Sequence, residues 1–385
     1  MGEMGKCYIC GTEYLVSRSL GVCGNCLRKY PEKALGIVRD LRSSWRRSIG
    51  LPERPPRDER GLQCNLCVNQ CRIPEGSRGF CGIWVNKGSL LTPLAGHGKM
   101  ILHAYLDPIP TNCVAAHICP ASTGAGHPKY AYSPGIEYGY YNLAVFMAGC
   151  PLDCVFCQNW EHKTAISHGR IDTSIIKIYT INDLVERSMD TRIPCICYFG
   201  GDPTPHASML IQVSREIIRR ASERGFIKRI CWETNGLENP YIMREMARLS
   251  LVSGGIVKID WKAWTPSIYE ALTGVDGEKA IERLKENTRI VAELAKQRPE
   301  IPLLVVSILL VPGYVDPEEV RGIANYIAEL DPNTPIVLLA FHPDHLMRDL
   351  PPTSRRHMGE AVRAAKEAGI KNIYIGNEWL LGPYY

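Results

Sequence analysis

Short apolar runs alternate with stretches of helical periodicity from about residue 142 to residue 376. Seven of the runs have the length and composition of buried strands. They are LAVFMAG (143–149), CICYFGG (195–201), IKRICWE (227–233), GIVKIDW (255–261), LLVVSILL (303–310), IVLLAFH (336–342) and NIYIG (372–376). Repeated strand–helix units favour a parallel sheet with helical crossovers. The predicted fold class is α/β, with a partial or full (β/α) barrel whose chemistry gathers at the carboxyl ends of the strands.

The first 140 residues follow a different pattern. Two Cys-x2-Cys pairs lie in residues 1–30, a basic stretch of helical character runs to about residue 47, and a linker rich in proline and charge follows. Residues 61–140 are rich in glycine, proline and cysteine and show little periodicity, which is typical of a loop-rich module. We therefore predict three parts, with boundaries at 1–49, 50–140 and 141–385.

Composition is that of an ordinary globular protein, with 45% hydrophobic and 22% charged residues in 385. The net charge of +5 permits an acidic partner or a nucleotide-like ligand without requiring nucleic acid. No apolar run reaches the length of a membrane span, and the start of the chain lacks the apolar core of a secretory signal. We expect a cytoplasmic protein with no membrane partner.

The 16 cysteines are the informative part of the composition, because most of them are clustered. Disulfide scaffolds are usually short secreted chains, whereas clustered cysteines in a cytosolic chain more often bind metal. The pattern favours metal ligation over disulfides.

The strongest motif is GCPLDCVFCQNW, directly after the first predicted strand. It holds Cys150, Cys154 and Cys157, which we call the triad. Thiolates at this spacing can bind three irons of one [4Fe–4S] cubane and leave the fourth iron open to a ligand that is not protein. The alternatives are a zinc site or buried structural cysteines, but structural zinc favours four ligands in two pairs.

The triad and its position resemble the radical S-adenosylmethionine (SAM) superfamily. This resemblance implies that SAM chelates the open iron and is cleaved reductively to a 5′-deoxyadenosyl radical, which abstracts hydrogen from a substrate. It also implies an electron donor such as ferredoxin or flavodoxin, and it makes the triad catalytic.

Further motifs at the predicted strand ends resemble the pyruvate formate-lyase activase-like branch of that superfamily. GGDP resembles the GGEP motif, with the shorter aspartate in place of glutamate; ETNG, Asp-x-Lys, VPG and FHP follow on later strands. Each alone is equally consistent with a turn, a loop or a structural ion pair, but their order matches a barrel site. By resemblance, the SAM cleft is predicted to contain Gly200, Gly201, Asp202, Pro203, Glu233, Asn235, Asp260, Lys262 and His342.

The two N-terminal pairs are Cys7, Cys10, Cys23 and Cys26, which we call the ribbon cysteines. Two Cys-x2-Cys turns twelve residues apart are typical of a zinc ribbon, in which zinc replaces a hydrophobic core too small to fold alone. Residues 1–49 are therefore predicted to be a zinc-ribbon-like module with a basic helix. A rubredoxin-like iron site and a redox pair remain alternatives.

A second group, the second tetrad, comprises Cys64, Cys67, Cys71 and Cys81. Its segment resembles the N-terminal part of AMMECR1/Memo-associated radical SAM proteins, and its four thiolates suit either zinc or an auxiliary [4Fe–4S] cluster. Cys113 and Cys119 are predicted either to join a metal site or to lie near the barrel mouth. Free cysteine packs well as a small apolar residue, so that role is predicted for Cys195, Cys197 and Cys231.

These observations predict a radical SAM enzyme acting on a small molecule or on a side chain of a protein or RNA. One alternative is an activase that places a radical on a glycine of a partner enzyme. The other is a zinc-ribbon binding protein without catalysis, which would take up no iron.

Overall fold

The computed structural model describes residues 5–111 and 113–385. Its helices are α1 (Gly24–Lys29), α2 (Pro31–Ser48), α3 (Pro120–Thr123), α4 (Glu161–Thr164), α5 (Ile181–Ser188), α6 (Ala207–Arg224), α7 (Pro240–Ser253), α8 (Pro266–Thr273), α9 (Gly277–Ala295), α10 (Pro317–Leu330) and α11 (Arg355–Glu367). Short 3-10 turns span Ser167–Gly169, Thr204–His206 and Glu378–Leu380.

The strands are β1 (Leu62–Gln63), β2 (Arg72–Ile73), β3 (Trp84–Asn86), β4 (Leu91–Pro93), β5 (Lys99–Pro108), β6 (Tyr141–Met147), β7 (Lys177–Thr180), β8 (Cys195–Gly200), β9 (Arg229–Thr234), β10 (Val257–Asp260), β11 (Leu304–Leu310), β12 (Ile336–Ala340) and β13 (Ile373–Gly376). Two pairs, β1 with β2 and β3 with β4, form small antiparallel sheets. The other nine strands form one sheet.

The order in the large sheet is β13-β12-β11-β10-β9-β8-β6-β5-β7. β6 and the six strands from β8 to β13 are parallel to one another, and these are the seven strands that the hydrophobic pattern predicts. β13 and β7 are the two edges, so the sheet is a partial barrel rather than a closed one. The prediction of an α/β fold with a mostly parallel sheet is confirmed.

The sequence analysis missed β5, which lies in the segment interpreted as loop-rich. This ten-residue strand pairs antiparallel with β6 on one side and with β7 on the other. Its burial alternates only in part, because Met100, Ile101 and Leu102 are buried in a row and most of the second half of the strand is exposed. The large sheet therefore includes part of residues 50–140, and the proposed three-part division stays a prediction.

The N-terminal module packs against the loop that follows β11. The Tyr314 hydroxyl donates to the carbonyl of Val22 at 2.9 Å and accepts from the backbone N–H of Ser17 at 3.0 Å. Arg28 extends the contact with an ion pair to Glu319 at 3.0 Å. The tip of the module is thereby fixed to the same end of the barrel that carries the strand-end motifs.

Across the described residues, no helix has both the length and the apolar character needed to cross a membrane.

Candidate functional site

The loop after β6 carries the triad. Gly149 has φ +79°, and a Cβ there would lie 2.8 Å from the carbonyl oxygen of Cys81, so only glycine permits this approach of the second tetrad. The backbone N–H of Asp153 donates to the carbonyl of Thr273 at 2.7 Å, which fixes the middle of the loop to the end of α8. The three thiols are thus presented from an anchored loop.

The triad opens into a cavity of about 210 Å³ at the carboxyl ends of the parallel strands. Seven of the nine residues predicted for the SAM cleft line this cavity beside the triad: Gly200, Gly201, Asp202, Glu233, Asn235, Asp260 and Lys262. The structure therefore brings together residues that the sequence distributes over more than 110 positions.

Two predicted residues lie elsewhere. His342 comes two residues after the end of β12, and its side chain is exposed rather than part of the cavity lining. Pro203 is buried where the 3-10 turn after β8 begins and does not line the cavity. Both residues follow a strand end, but neither lies at the edge of the sheet where the cavity opens.

The glycines of GGDP are required by close packing. A Cβ on Gly201 would lie 2.4 Å from the carbonyl oxygen of Gly149 and 2.6 Å from that of Met147. Gly200 has φ +93°, a conformation that side-chain-bearing residues rarely adopt. The β8 loop therefore lies directly against the loop that carries the triad.

Asp202 is 2% exposed and points into the protein. Its Oδ2 accepts from the backbone N–H of Asn235 at 2.9 Å and from the Thr234 hydroxyl at 3.1 Å, while Oδ1 accepts from the N–H of Thr204 at 2.8 Å. The shorter aspartate thus joins the ends of β8 and β9, leaving the backbone of the GGDP loop to face the cavity.

A second buried carboxyl lies beside Asp202. The Thr234 hydroxyl is 3.1 Å from both Asp202 Oδ2 and Glu238 Oε2, yet it has a single proton to donate. Burial and the nearby Asp202 carboxylate raise the pKa of Glu238 to about 8. A protonated Glu238 supplies the proton that the second contact needs.

Three charged side chains, Glu233, Asp260 and Lys262, also line the cavity. Lys262 pairs with Asp260 two positions earlier on the same face. Burial lowers the pKa of Lys262, but the Asp260 carboxylate and nearby thiols outweigh it and raise that pKa overall. Glu233 is one-third exposed and pairs with Lys258 at 3.2 Å. The sequence left open whether Asp260 and Lys262 were an ion pair or a site, and the structure shows the pair in the cavity wall.

The donor set fits an iron–sulfur cluster and a zwitterionic ligand. The Asn235 side-chain amide donates to Cys150 Sγ at 3.6 Å, which is a contact expected for a thiolate ligand of a cluster. Among the described residues, Asp260 Oδ1 and His162 Nδ1 are buried at this cavity without a hydrogen-bond partner. An unsatisfied carboxylate oxygen suits a ligand ammonium group.

Sequence reasoning missed a buried charge network behind the triad. Lys163 donates to Asp153 at 2.6 Å, and Arg46 from α2 lies 3.3 Å from the same carboxylate. Burial raises the pKa of Asp153, but the adjacent cations outweigh it and hold that pKa well below its usual range. The only signal was the basic character of the α2 segment, which is equally typical of a solvated helix.

The ribbon cysteines form a compact group whose ligand atoms all lie within 4.8 Å of one another. Cys10 Sγ and Cys23 Sγ are 3.8 Å apart, and the Cys23 N–H donates to Cys7 Sγ at 3.4 Å. Burial raises the pKa of Cys7, but backbone N–H donors outweigh it and lower that pKa to about 6. This is a four-cysteine cluster with the dimensions of a single-ion site.

The second tetrad lines one small pocket together with Pro151, Thr204 and Pro205. Asn69, in the same pocket, donates its side-chain amide to the carbonyl of Pro151 at 2.7 Å. Because Pro151 follows Cys150, the pocket of the second tetrad shares a wall with the triad. Burial raises the pKa of Cys64 to about 12 and that of Cys71 to about 11.

The remaining five cysteines also share a cavity. We call them the barrel cysteines: Cys113, Cys119, Cys195, Cys197 and Cys231. All 16 cysteines of the chain therefore fall into four spatial groups. The sequence does not reveal this group, because its members are far apart in the chain. Cys195, Cys197 and Cys231, which lie on strands, form no recognisable spacing motif.

Comparison with known proteins finds similarity in the central part of the chain. Residues 144–327 match the family model described as the Radical SAM superfamily. An uncharacterized protein of Methanocaldococcus jannaschii is 28% identical over 323 residues, which are 83% of this chain and 82% of that protein. The family match is to the superfamily as a whole.

Solved structures with similarity include a domain of pyruvate-formate lyase-activating enzyme from Bacteroides vulgatus, at 21% identity, 47% of this chain, 98% of that chain and a TM-score of 0.34. Streptococcus suis SuiB bound to SAM matches at 11% identity, 60% of this chain, 49% of that chain and a TM-score of 0.39. The matched region of this chain thus spans about half of SuiB.

The family match covers the triad, the GGDP loop and the strand-end residues that line the cavity. Residues 144–327 therefore resemble the Radical SAM superfamily, and this match supports an iron–sulfur enzyme that depends on SAM.

Proposed function

We propose that the triad holds a [4Fe–4S] cluster whose open iron binds SAM in the 210 Å³ cavity. When bound, this pair supplies a 5′-deoxyadenosyl radical that abstracts hydrogen from a substrate. The observation that carries the proposal is the convergence of the triad with seven strand-end residues around one cavity.

The residues of the cavity have separate roles in this proposal. The Asp260 carboxylate, with one oxygen unpartnered, and the exposed part of Glu233 attract the ammonium group of SAM. Lys262 stays protonated and balances the negative charge of the cluster and the carboxylates. Asn235 donates to Cys150 Sγ, and Asp202 keeps Asn235 in place from behind.

We propose zinc for the ribbon cysteines and an auxiliary [4Fe–4S] cluster for the second tetrad. Four sulfurs at about 2.3 Å from one zinc ion stand about 3.8 Å apart, which is the Cys10–Cys23 separation. Within the described part of the chain, the ribbon cysteines are the only group with all ligand atoms inside 4.8 Å. The second tetrad is more widely spaced, as is the triad, and cysteines on separate irons of a cubane stand farther apart than ligands of one ion.

A second cavity, of about 310 Å³, supports a substrate of the size of a small molecule or a single side chain. It shares Leu339 and Asn377 with the SAM cavity, and it is also lined by His117, Glu378 and the largely exposed Trp379. Leu339 and Asn377, which line both cavities, would then lie where the radical meets the substrate. An electron donor such as ferredoxin or flavodoxin completes the proposed reaction.

Anaerobic reconstitution followed by incubation with SAM and a strong reductant tests this function. We expect 5′-deoxyadenosine by mass spectrometry from the wild type and from Thr164→Ala, a control in the helix after the triad. Cys154→Ala should lose the product together with the cluster. A wild type that takes up iron at the triad but yields no 5′-deoxyadenosine would contradict the proposal.

A further inference from the structure

The barrel cysteines lie one layer deeper in the barrel than the SAM cavity. Cys197 on β8 is in register with Cys231 on β9, and Glu233, two residues beyond Cys231, lines the SAM cavity above. Cys195 lies two residues before Cys197 on the same face. Cys113 and Cys119 reach the cavity from the segment after β5.

Two buried cations point at these sulfurs. Lys258 Nζ is 3.2 Å from Cys113 Sγ and 3.0 Å from Cys197 Sγ, and its side chain is 1% exposed. Arg229 Nε donates to Cys195 Sγ at 3.1 Å and is equally buried. Lysine and arginine have donors only, and a neutral thiol is a weak acceptor, so such contacts suit anionic sulfur.

Free thiols in this cavity could quench the proposed radical by donating a hydrogen atom to it. A thiol S–H gives up its hydrogen atom readily, and this cavity shares Thr111 and Cys113 with the proposed substrate cavity, in which a carbon radical would form. Metal-bound thiolates carry no such hydrogen. Both cations also pair with carboxylates, Lys258 with Glu233 at 3.2 Å and Arg229 with the buried Glu137, so the sulfurs are additional partners of these cations.

The distances between the sulfurs distinguish a single-ion site from a polynuclear centre. In the described residues, no three of the barrel cysteines belong to a group with ligand atoms inside 4.8 Å, whereas the ribbon cysteines do. A single zinc ion is therefore disfavoured, and a polynuclear centre fits. We propose that Cys113, Cys119, Cys197 and Cys231, one thiolate for each iron, ligate a [4Fe–4S] cluster inside the barrel, with Lys258 beside two of these ligands and Cys195 held by Arg229.

Iron binding by the barrel cysteines can be measured without SAM cleavage, so the two proposals can fail separately. The variant is Cys197→Ser with Cys231→Ser, reconstituted anaerobically beside the wild type. Iron and acid-labile sulfide should each fall by about four per chain, which is one cubane. The SAM-induced change in the electron paramagnetic resonance spectrum of the triad cluster should persist, which shows that the barrel is folded.

A second variant covers the case in which the strand substitutions prevent folding. Cys113→Ser with Cys119→Ser changes only the segment after β5, and we expect the same loss of iron and sulfide. Ser122→Ala, which alters a cavity residue that is not a thiol, should keep the wild-type iron content. Unchanged iron in a folded double variant, or loss of zinc in place of iron, would overturn the proposal.

Discussion

The Asp202 carboxylate accepts a hydrogen bond from the backbone N–H of Asn235 at 2.9 Å. This contact joins the loop after β8 to the loop after β9, and Asn235 in turn donates to Cys150 Sγ. The Asp202 carboxylate is therefore linked through Asn235 to the loop that carries the triad. The aspartate of GGDP acts as a positioning residue, because both of its carboxylate oxygens are engaged by neighbouring residues, one of which is Asn235.

Replacing Asp202 should damage both stability and SAM binding. Asp202→Ala leaves the N–H groups of Thr204 and Asn235 without their acceptor, at a cost of about 2–3 kcal/mol in the free energy of unfolding. Denaturant unfolding and SAM titration of the anaerobic protein would measure the two effects. Asp190→Ala, at an exposed turn, should change stability by less than about 1 kcal/mol and is the control. Equal stability of the two variants would contradict the positioning role.

Glu238 should make stability depend on pH. Its pKa rises from an ordinary 4.5 to about 8 in the folded state, so the folded chain binds more protons than the unfolded chain between these values. The stability that protonated Glu238 contributes is complete below about pH 4.5 and is lost as the pH rises toward about 8.

Glu238→Gln should remove this dependence. The midpoint of thermal unfolding of Glu238→Gln relative to wild type should rise by several degrees between pH 5 and pH 9, because the amide cannot ionise. Glu300→Gln, at an exposed position, is the control and should show a constant difference. A difference that does not vary with pH for Glu238→Gln would show that this carboxyl is ionised throughout.

Asn235 should tune the triad cluster. Its amide donates to Cys150 Sγ at 3.6 Å, and donors to a ligand sulfur stabilise the reduced, more negative cluster. Asn235→Ala should therefore lower the reduction potential of that cluster, measured by potentiometric titration with spectroscopic detection. Asn239→Ala, at the start of α7, should leave it unchanged. A potential unaltered in Asn235→Ala would mean that the amide does not act on the cluster.

Zinc should be confined to the ribbon cysteines. Cys26→Ser is expected to lose about one zinc per chain while iron is unchanged, because the metal replaces a hydrophobic core in this module. Loss of the metal should also loosen the contact of Arg28 with Glu319, which limited proteolysis of the first 30 residues would detect. Thr12→Ala is the matched control. Iron rather than zinc at this site would support the rubredoxin-like alternative.

The parallel strands could be predicted from the sequence because each is a short, nearly continuous apolar run covered on both faces. The strand-end residues followed from position, since side chains just beyond parallel strands meet at one edge. β5 was missed because it pairs antiparallel, and its exposed half breaks the apolar pattern.

The parts that could not be predicted depend on tertiary contacts. His342 follows a strand as the others do, yet the chain turns before its side chain can reach the cavity. Lys258 looks like an ordinary strand residue until the sheet register places it between Cys113 and Cys197. Arg46 and Asp153 are more than 100 positions apart in sequence, and nothing local relates them.

The most direct test of the account is electron–nuclear double resonance on the reduced, reconstituted protein with SAM labelled with ¹⁵N at its amino group. A cluster on the triad with one open iron predicts a strong coupling between the label and the cluster, absent in Cys154→Ala. A reduced cluster that shows no coupling to bound SAM would contradict it.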